Sequence, residues 1–263
     1  MSGHAGWVWH PVLAHRCGGA LAPENTLAGL EIAARLGCRA VEFDVMLSRD
    51  GVPVLIHDET LERTTGVIGR VVDSDAAYLQ GLDAGSSHHP AFWGEPIPRL
   101  DEALARCCRL GLAANVEIKP ATGFEAETGE VVGRLVAAAD KSMLPPILFS
   151  SFSEVALRAA ARHAGFIPRG LLVQRLAPSD LVLARDLSCV SLNLSARTLA
   201  GEDVLAIRAA GLKTLVYTVN QENEGARLFG LGVDGIFTDR PELFLPQGRS
   251  LPASSGQVVD GPA

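Results

Sequence analysis

The chain has 263 residues, 48% hydrophobic and 20% charged, enough apolar material for a large core and too much for a disordered charged polymer. Lys and Arg number 23 against 30 Asp and Glu, a formal net charge of −7, and the sequence offers no basic stripe for nucleic acid. There is no run of about 18 apolar residues to span a membrane, residues 1–10 lack the regions of a signal peptide, and five cysteines, two of them adjacent, suit a reducing cytoplasm better than a disulfide framework.

Short apolar runs recur at 12–14, 40–45, 54–56, 112–118, 146–149, 167–173, 188–194, 212–219 and 235–237. Ala- and Leu-rich stretches between them predict helices over 26–36, 101–110, 130–139, 154–163, 203–210 and 222–231. Gly37, Gly111, Gly165, Gly211 and Gly232 follow these stretches, and glycine takes the left-handed cap of a helix without steric cost. Strand then helix, repeated about eight times in about 250 residues, predicts an α/β fold, a TIM (β/α)8 barrel, over a doubly wound open sheet. Residues 1–10 read as an N-terminal extension, 11–245 as the barrel, and 246–263, rich in Gly, Ser and Pro, as a disordered tail. Residues 58–99 break the rhythm with the segment GSSHHPAFWG at 85–94, and read as an insertion.

Polar residues collect at the C-terminal ends of the apolar runs: His15 and Arg16, Glu42 and Asp44, His57 and Asp58, Glu117 and Lys119. In a barrel those ends share one mouth, where the active site belongs. Glu42 and Asp44, two apart on a strand, project from the same face and repel. Glu117 from a neighbouring strand makes a third carboxylate. A hard dication, Mg²⁺ or Ca²⁺, offsets such an all-oxygen set better than zinc does. His15 and His57 can act as one acid and one base. Arg16 and Lys119 suit phosphate oxygens, so the whole set predicts phosphoryl chemistry.

The ordered motifs HRCGGALAPENT at 15–26, VEFDV at 41–45, HD at 57–58, VEIK at 116–119, LFSSF at 148–152, LVYTVN at 215–220 and VDGIFTD at 233–239 resemble the glycerophosphodiester phosphodiesterase family. Within that family the likeness is to the cytoplasmic bacterial members that accompany glycerol-phosphate uptake. The resemblance implies a TIM barrel with a small insertion after the second strand. It further implies a metal on Glu42, Asp44 and Glu117, acid–base roles for His15 and His57, and phosphate on Arg16 and Lys119. Glu24 would orient a catalytic group or the metal shell, and Asn25 either braces the loop or caps the helix at 26–36. Tyr217 is either a substrate contact or a core aromatic. Phe92 and Trp93 either wall the pocket, the favoured reading, or pin the loop to the barrel; His88, His89 and His163 have no motif partners, and His88 and His89 read as a solvated loop over a second metal site. The implied reaction hydrolyses a glycerophosphodiester, a small-molecule substrate, to sn-glycerol 3-phosphate and an alcohol. A barrel phospholipase and a catalytically silent phosphodiester-binding protein are the competing readings. Cys17 departs from the glycine that commonly follows His-Arg in the family, and reads either as an inert buried residue or as an oxidant-sensitive thiol.

Overall fold

A computed structural model describes residues 7–245; the predicted tail at 246–263 lies outside them. The strands are β1 (Val12–Ala14), β2 (Ala40–Leu47), β3 (Pro53–Leu55), β4 (Ala113–Ile118), β5 (Ile147–Ser151), β6 (Arg169–Val173), β7 (Ser191–Ser195), β8 (Lys213–Tyr217) and β9 (Gly235–Thr238). Eight of them run parallel in the ring β1-β2-β4-β5-β6-β7-β8-β9, and β9 pairs back onto β1. This is a closed TIM barrel. The helices between strands are α1 (Leu27–Leu36), α4 (Leu100–Leu110), α5 (Glu125–Ala138), α6 (Glu154–Ala164), α7 (Pro178–Asp186), α8 (Gly201–Ala209) and α9 (Glu222–Leu231), with α2 (Glu62–Thr65) and α3 (Ala76–Gln80) inside the insertion. Among the described residues, no helix is long and apolar enough to cross a membrane.

One strand differs from its expected role. The run at 54–56 is not a barrel stave: β3 turns back antiparallel along the end of β2, with Val45 opposite Leu55 and Leu47 opposite Pro53. A three-residue strand carries no orientation in its sequence, and the turn Asp50-Gly51, with Gly51 at φ 74°, makes the reversal local. The insertion after it is a folded unit. Met46, Val54, Ile56, Leu61, Val71, Leu79 and Ile97 form a hydrophobic cluster of their own beneath it.

Helix ends follow the chemistry of the residues at them. Thr26 caps α1 by accepting from the Gly29 amide at 3.2 Å, and Gly37 ends it at φ 90°. Gly165 differs: it stays right-handed at φ −60°, so α6 ends without a left-handed cap. Helix α5 starts earlier than its apolar pattern, because Glu125 and Glu127 match the positive helix start and Gly129 lies against α6. A methyl group on Gly129 would fall 2.2 Å from the Ala156 carbonyl oxygen. At the other end of the barrel Trp7 packs with Leu13, Ala40, Ala113, Leu148, Leu215 and Phe237, so the last residues of the expected extension close the barrel floor.

Candidate active site

Strand register builds the acidic cluster. Glu42 and Asp44 alternate onto the inner face of β2, and Asp44 is directly opposite Glu117 on β4. One carboxylate oxygen from each lies within 4.8 Å of the others. Burial pushes Glu42 and Glu117 above the usual carboxylate range, and the charge of Asp44 adds to this. Burial pushes Asp44 the same way, but Lys119, His57 and Arg16 outweigh it and hold it ionised. Glu42 Oε1 is buried with no hydrogen-bond partner. Three converging acids, two resisting ionisation and one with an orphaned oxygen, fit a hard divalent cation.

Each imidazole is held by an aspartate. His15 Nδ1 lies 2.6 Å from Asp239 Oδ1, and His57 Nδ1 lies 2.6 Å from Asp58 Oδ1. Both arrangements leave Nε2 for the cavity; that of His15 is 3.8 Å from Glu42 Oε2. Burial lowers the pKa of His15, but the hydrogen bond to Asp239 and the charges of Glu42 and Asp239 outweigh it and raise the value. His57 is lowered, by burial first and by Lys119 and Arg16 against the pull of Asp44 and Asp58.

The loop after β1 is wound tightly to present these groups. Arg16, Cys17 and Asn25 have φ of 49°, 77° and 57°, and Gly19, at 61°, passes the Asp239 carbonyl so closely that a methyl group there would sit 2.4 Å from its oxygen. The Arg16 amide donates to Glu42 Oε2 at 2.9 Å, and its Nε lies 3.7 Å from Asp44 Oδ2. Asn25 braces the loop: Nδ2 donates to Asp44 Oδ2 at 2.9 Å, while its own Oδ1 accepts from the Asp44 amide at 3.0 Å. Thr26, not Asn25, caps α1. Lys119 Nζ reaches Asp44 Oδ1 at 3.4 Å.

A cavity of about 200 Å³ contains His15, Arg16, Glu42, Asp44, His57, Glu117 and Lys119 in its wall. Asn115, Ser150, Phe152, Leu172, Tyr217, Thr218 and Phe237 complete it. The Tyr217 ring faces the cavity, while its hydroxyl donates to the Val173 carbonyl at 2.9 Å. Glu24 lies off this wall, its carboxylate bound to Arg16 at 3.2 Å and to Arg63 at 2.6 and 2.8 Å. Phe92 and Trp93 do not line the cavity; Trp93 is 82% exposed at the insertion's rim. Among the described residues, Glu42, Asp44 and Glu117 are the one group placed to share a metal, and His88 and His89 take no part in it. Cys17 is fully buried, and burial pushes its thiol well up, which favours the inert reading over the oxidant-sensitive one. Sequence reasoning gave no role to Asp58, Asp239 and Arg63. For the two aspartates a signal existed, since each ends or follows a strand beside a motif histidine or threonine.

A barrel mouth with clustered acids, paired imidazoles and flanking cations suits a phosphoric diester hydrolase, and the comparisons with known proteins give that class. The sequence matches the glycerophosphoryl diester phosphodiesterase family model over residues 15–243. It is 33% identical over 234 residues to a glycerophosphodiester phosphodiesterase of Caldanaerobacter subterraneus, covering 89% of this chain and 96% of that protein. The fold matches an Oleispira antarctica phosphodiesterase, solved in complex with the product sn-glycerol-3-phosphate, with TM-score 0.85 and 36% identity over 89% of this chain and 94% of that one. It also matches a glycerophosphodiester phosphodiesterase of Agrobacterium tumefaciens, with TM-score 0.71 and 30% identity over 89% and 98% of the two chains. The chain belongs to the glycerophosphoryl diester phosphodiesterase family.

Proposed function

We propose that the chain hydrolyses glycerophosphodiesters to sn-glycerol 3-phosphate and an alcohol, with one divalent cation, Mg²⁺ or Ca²⁺, on Glu42, Asp44 and Glu117. The observation that carries this reading is the meeting of those three carboxylates within 4.8 Å beside two aspartate-held imidazoles. When bound there, the cation offsets phosphate charge and acidifies an attacking hydroxyl. Arg16 and Lys119 bind the non-bridging phosphate oxygens. Asp239 and Asp58 hold Nδ1 of the two histidines, so that Nε2 of one accepts the nucleophile's proton while that of the other donates to the leaving alcohol. The product held by the Oleispira antarctica relative supports the choice of glycerol 3-phosphate.

The nucleophile is the glycerol 2-hydroxyl, through a cyclic phosphate, or water directly. Substrates lacking the 2-hydroxyl separate the two: they fail by the first route and react by the second. Cytoplasmic placement is part of the same reading, supported by the free thiols of all five cysteines. The test is turnover of glycerophosphocholine with Mg²⁺, with Ca²⁺ and after chelation. Release of glycerol 3-phosphate that stops on chelation and returns with the cation is expected. A folded, cation-loaded protein that turns over no glycerophosphodiester overturns the reading.

A further inference from the structure

Arg63 lies on α2, outside the cavity wall, yet every part of its guanidinium is committed to groups that touch the site. Its Nη1 and Nη2 donate to the two oxygens of Glu24 at 2.6 and 2.8 Å, and its Nε donates to Asp58 Oδ2 at 2.5 Å. Glu24 in turn accepts from Arg16 at 3.2 Å through both oxygens, and Asp58 Oδ1 holds His57 Nδ1 at 2.6 Å. We propose that Arg63 is a positioning residue that sets the phosphate-binding arginine and one catalytic histidine together, making the insertion part of the catalytic apparatus.

The fork geometry gives this its physical content. Each carboxylate is shared between Arg63 and a site residue, so Arg63 limits how strongly Glu24 neutralises Arg16 and how strongly Asp58 attracts the His57 proton. Without Arg63, Glu24 is free to close fully on Arg16, which weakens phosphate binding. Asp58 loses its second anchor, and the imidazole it orients drifts from the line of proton transfer. A displacement of about 1 Å at such a group costs about 10²-fold in rate. A lysine cannot replace the fork, because a single ammonium does not offer the planar donors that meet two carboxylates at once.

The inference rests on the hydrolase reading, with Arg16 on phosphate and His57 moving a proton. Its test is steady-state hydrolysis of glycerophosphocholine by Arg63→Gln, alone and combined with Asp58→Asn or with Glu24→Gln, at saturating cation. Arg63→Gln is expected to lower kcat about tenfold to a hundredfold and to raise KM about tenfold. The kcat loss should vanish when Asp58 is already Asn, and the KM rise when Glu24 is already Gln, because groups acting as a unit are not additive. Arg63→Lys should keep most of both losses while folding like the wild type, and it carries the same comparisons if Arg63→Gln does not fold. A lowered thermal midpoint with unchanged kcat and KM would make Arg63 a structural ion pair only. Losses that persist at full size in both double variants would overturn the proposal equally. Absent turnover by the wild type would instead sink the hydrolase reading, a distinct result.

Discussion

The barrel mouth has two unlike arcs. Residues 15–119, from β1, β2, the insertion and β4, supply all three acids, both imidazoles, Arg16 and Lys119. The arc from β5 to β9 supplies Phe152, Leu172, Tyr217 and Phe237, with Phe152 and Tyr217 edge-to-face at 5.9 Å. In the first arc buried carboxylates face one another and two resist ionisation. In the second the polar groups are uncharged, Ser150, Thr218 and the Tyr217 hydroxyl, and the last is spent on a backbone carbonyl. On the proposed mechanism, charge in one arc would carry the reaction and shape in the other would hold the substrate.

The largest effect should come from the charged arc. Glu117→Gln removes a carboxylate from the cation set and should cut turnover by about 10³-fold or more, several kcal/mol of transition-state stabilisation. Calorimetric titration with Mg²⁺ or Ca²⁺ should show weakened binding alongside. Next come the imidazoles: His15→Ala and His57→Ala should each lose about 10² to 10³-fold in kcat. The apolar arc should answer differently. Phe152→Ala should raise KM by about tenfold with kcat nearly unchanged, the value of roughly 50 Å² of lost apolar contact; a fall in kcat of the histidine kind would erase the distinction between arcs.

Smaller effects probe the supports of the charged arc. Asp58 and Glu24 both titrate below their ordinary values: for Asp58 the Arg63 hydrogen bond is the chief cause, while for Glu24 burial opposes the shift and the two arginines outweigh it. A lowered folded value means the stability these groups lend is complete above the unfolded value near 4 and is lost as pH falls through the folded one. Thermal midpoints of the wild type and Arg63→Gln should therefore differ at neutral pH, and the difference should begin to shrink only as pH falls below about 4. The smallest response belongs to Cys17: peroxide should change the activity of the wild type and of Cys17→Gly by the same factor, since the thiol is buried.

Much of this site was legible because strands have period two. Glu42 and Asp44 had to share a face, and the barrel reading brought Glu117 beside them. What escaped needed information from outside the local pattern. Residues 54–56 look like any other buried strand, and only pairing shows that β3 runs backwards and delivers His57 from a hairpin. Helices of four and five residues, such as α2 and α3, carry no period to read, so Arg63 had no visible neighbours. Helix α7 went unread because its first turn opens on Pro178 and its apolar residues, Leu181 to Ala184, run consecutively without helical spacing, although proline at a helix start is favourable. Glu24 was visible as a polar loop residue, but its partners, eight and 39 positions away, were not.

The partnership of His15 with Asp239 spans 224 residues of sequence. A ribosome releases these two groups at nearly opposite ends of its task, and β1 gains its neighbour β9 only when the final stave emerges. Until then the nascent polypeptide holds an imidazole whose tautomer nothing fixes and a ring with an open side. If His15 moves a proton as proposed, competence to cleave phosphodiesters waits for the docking of the last strand.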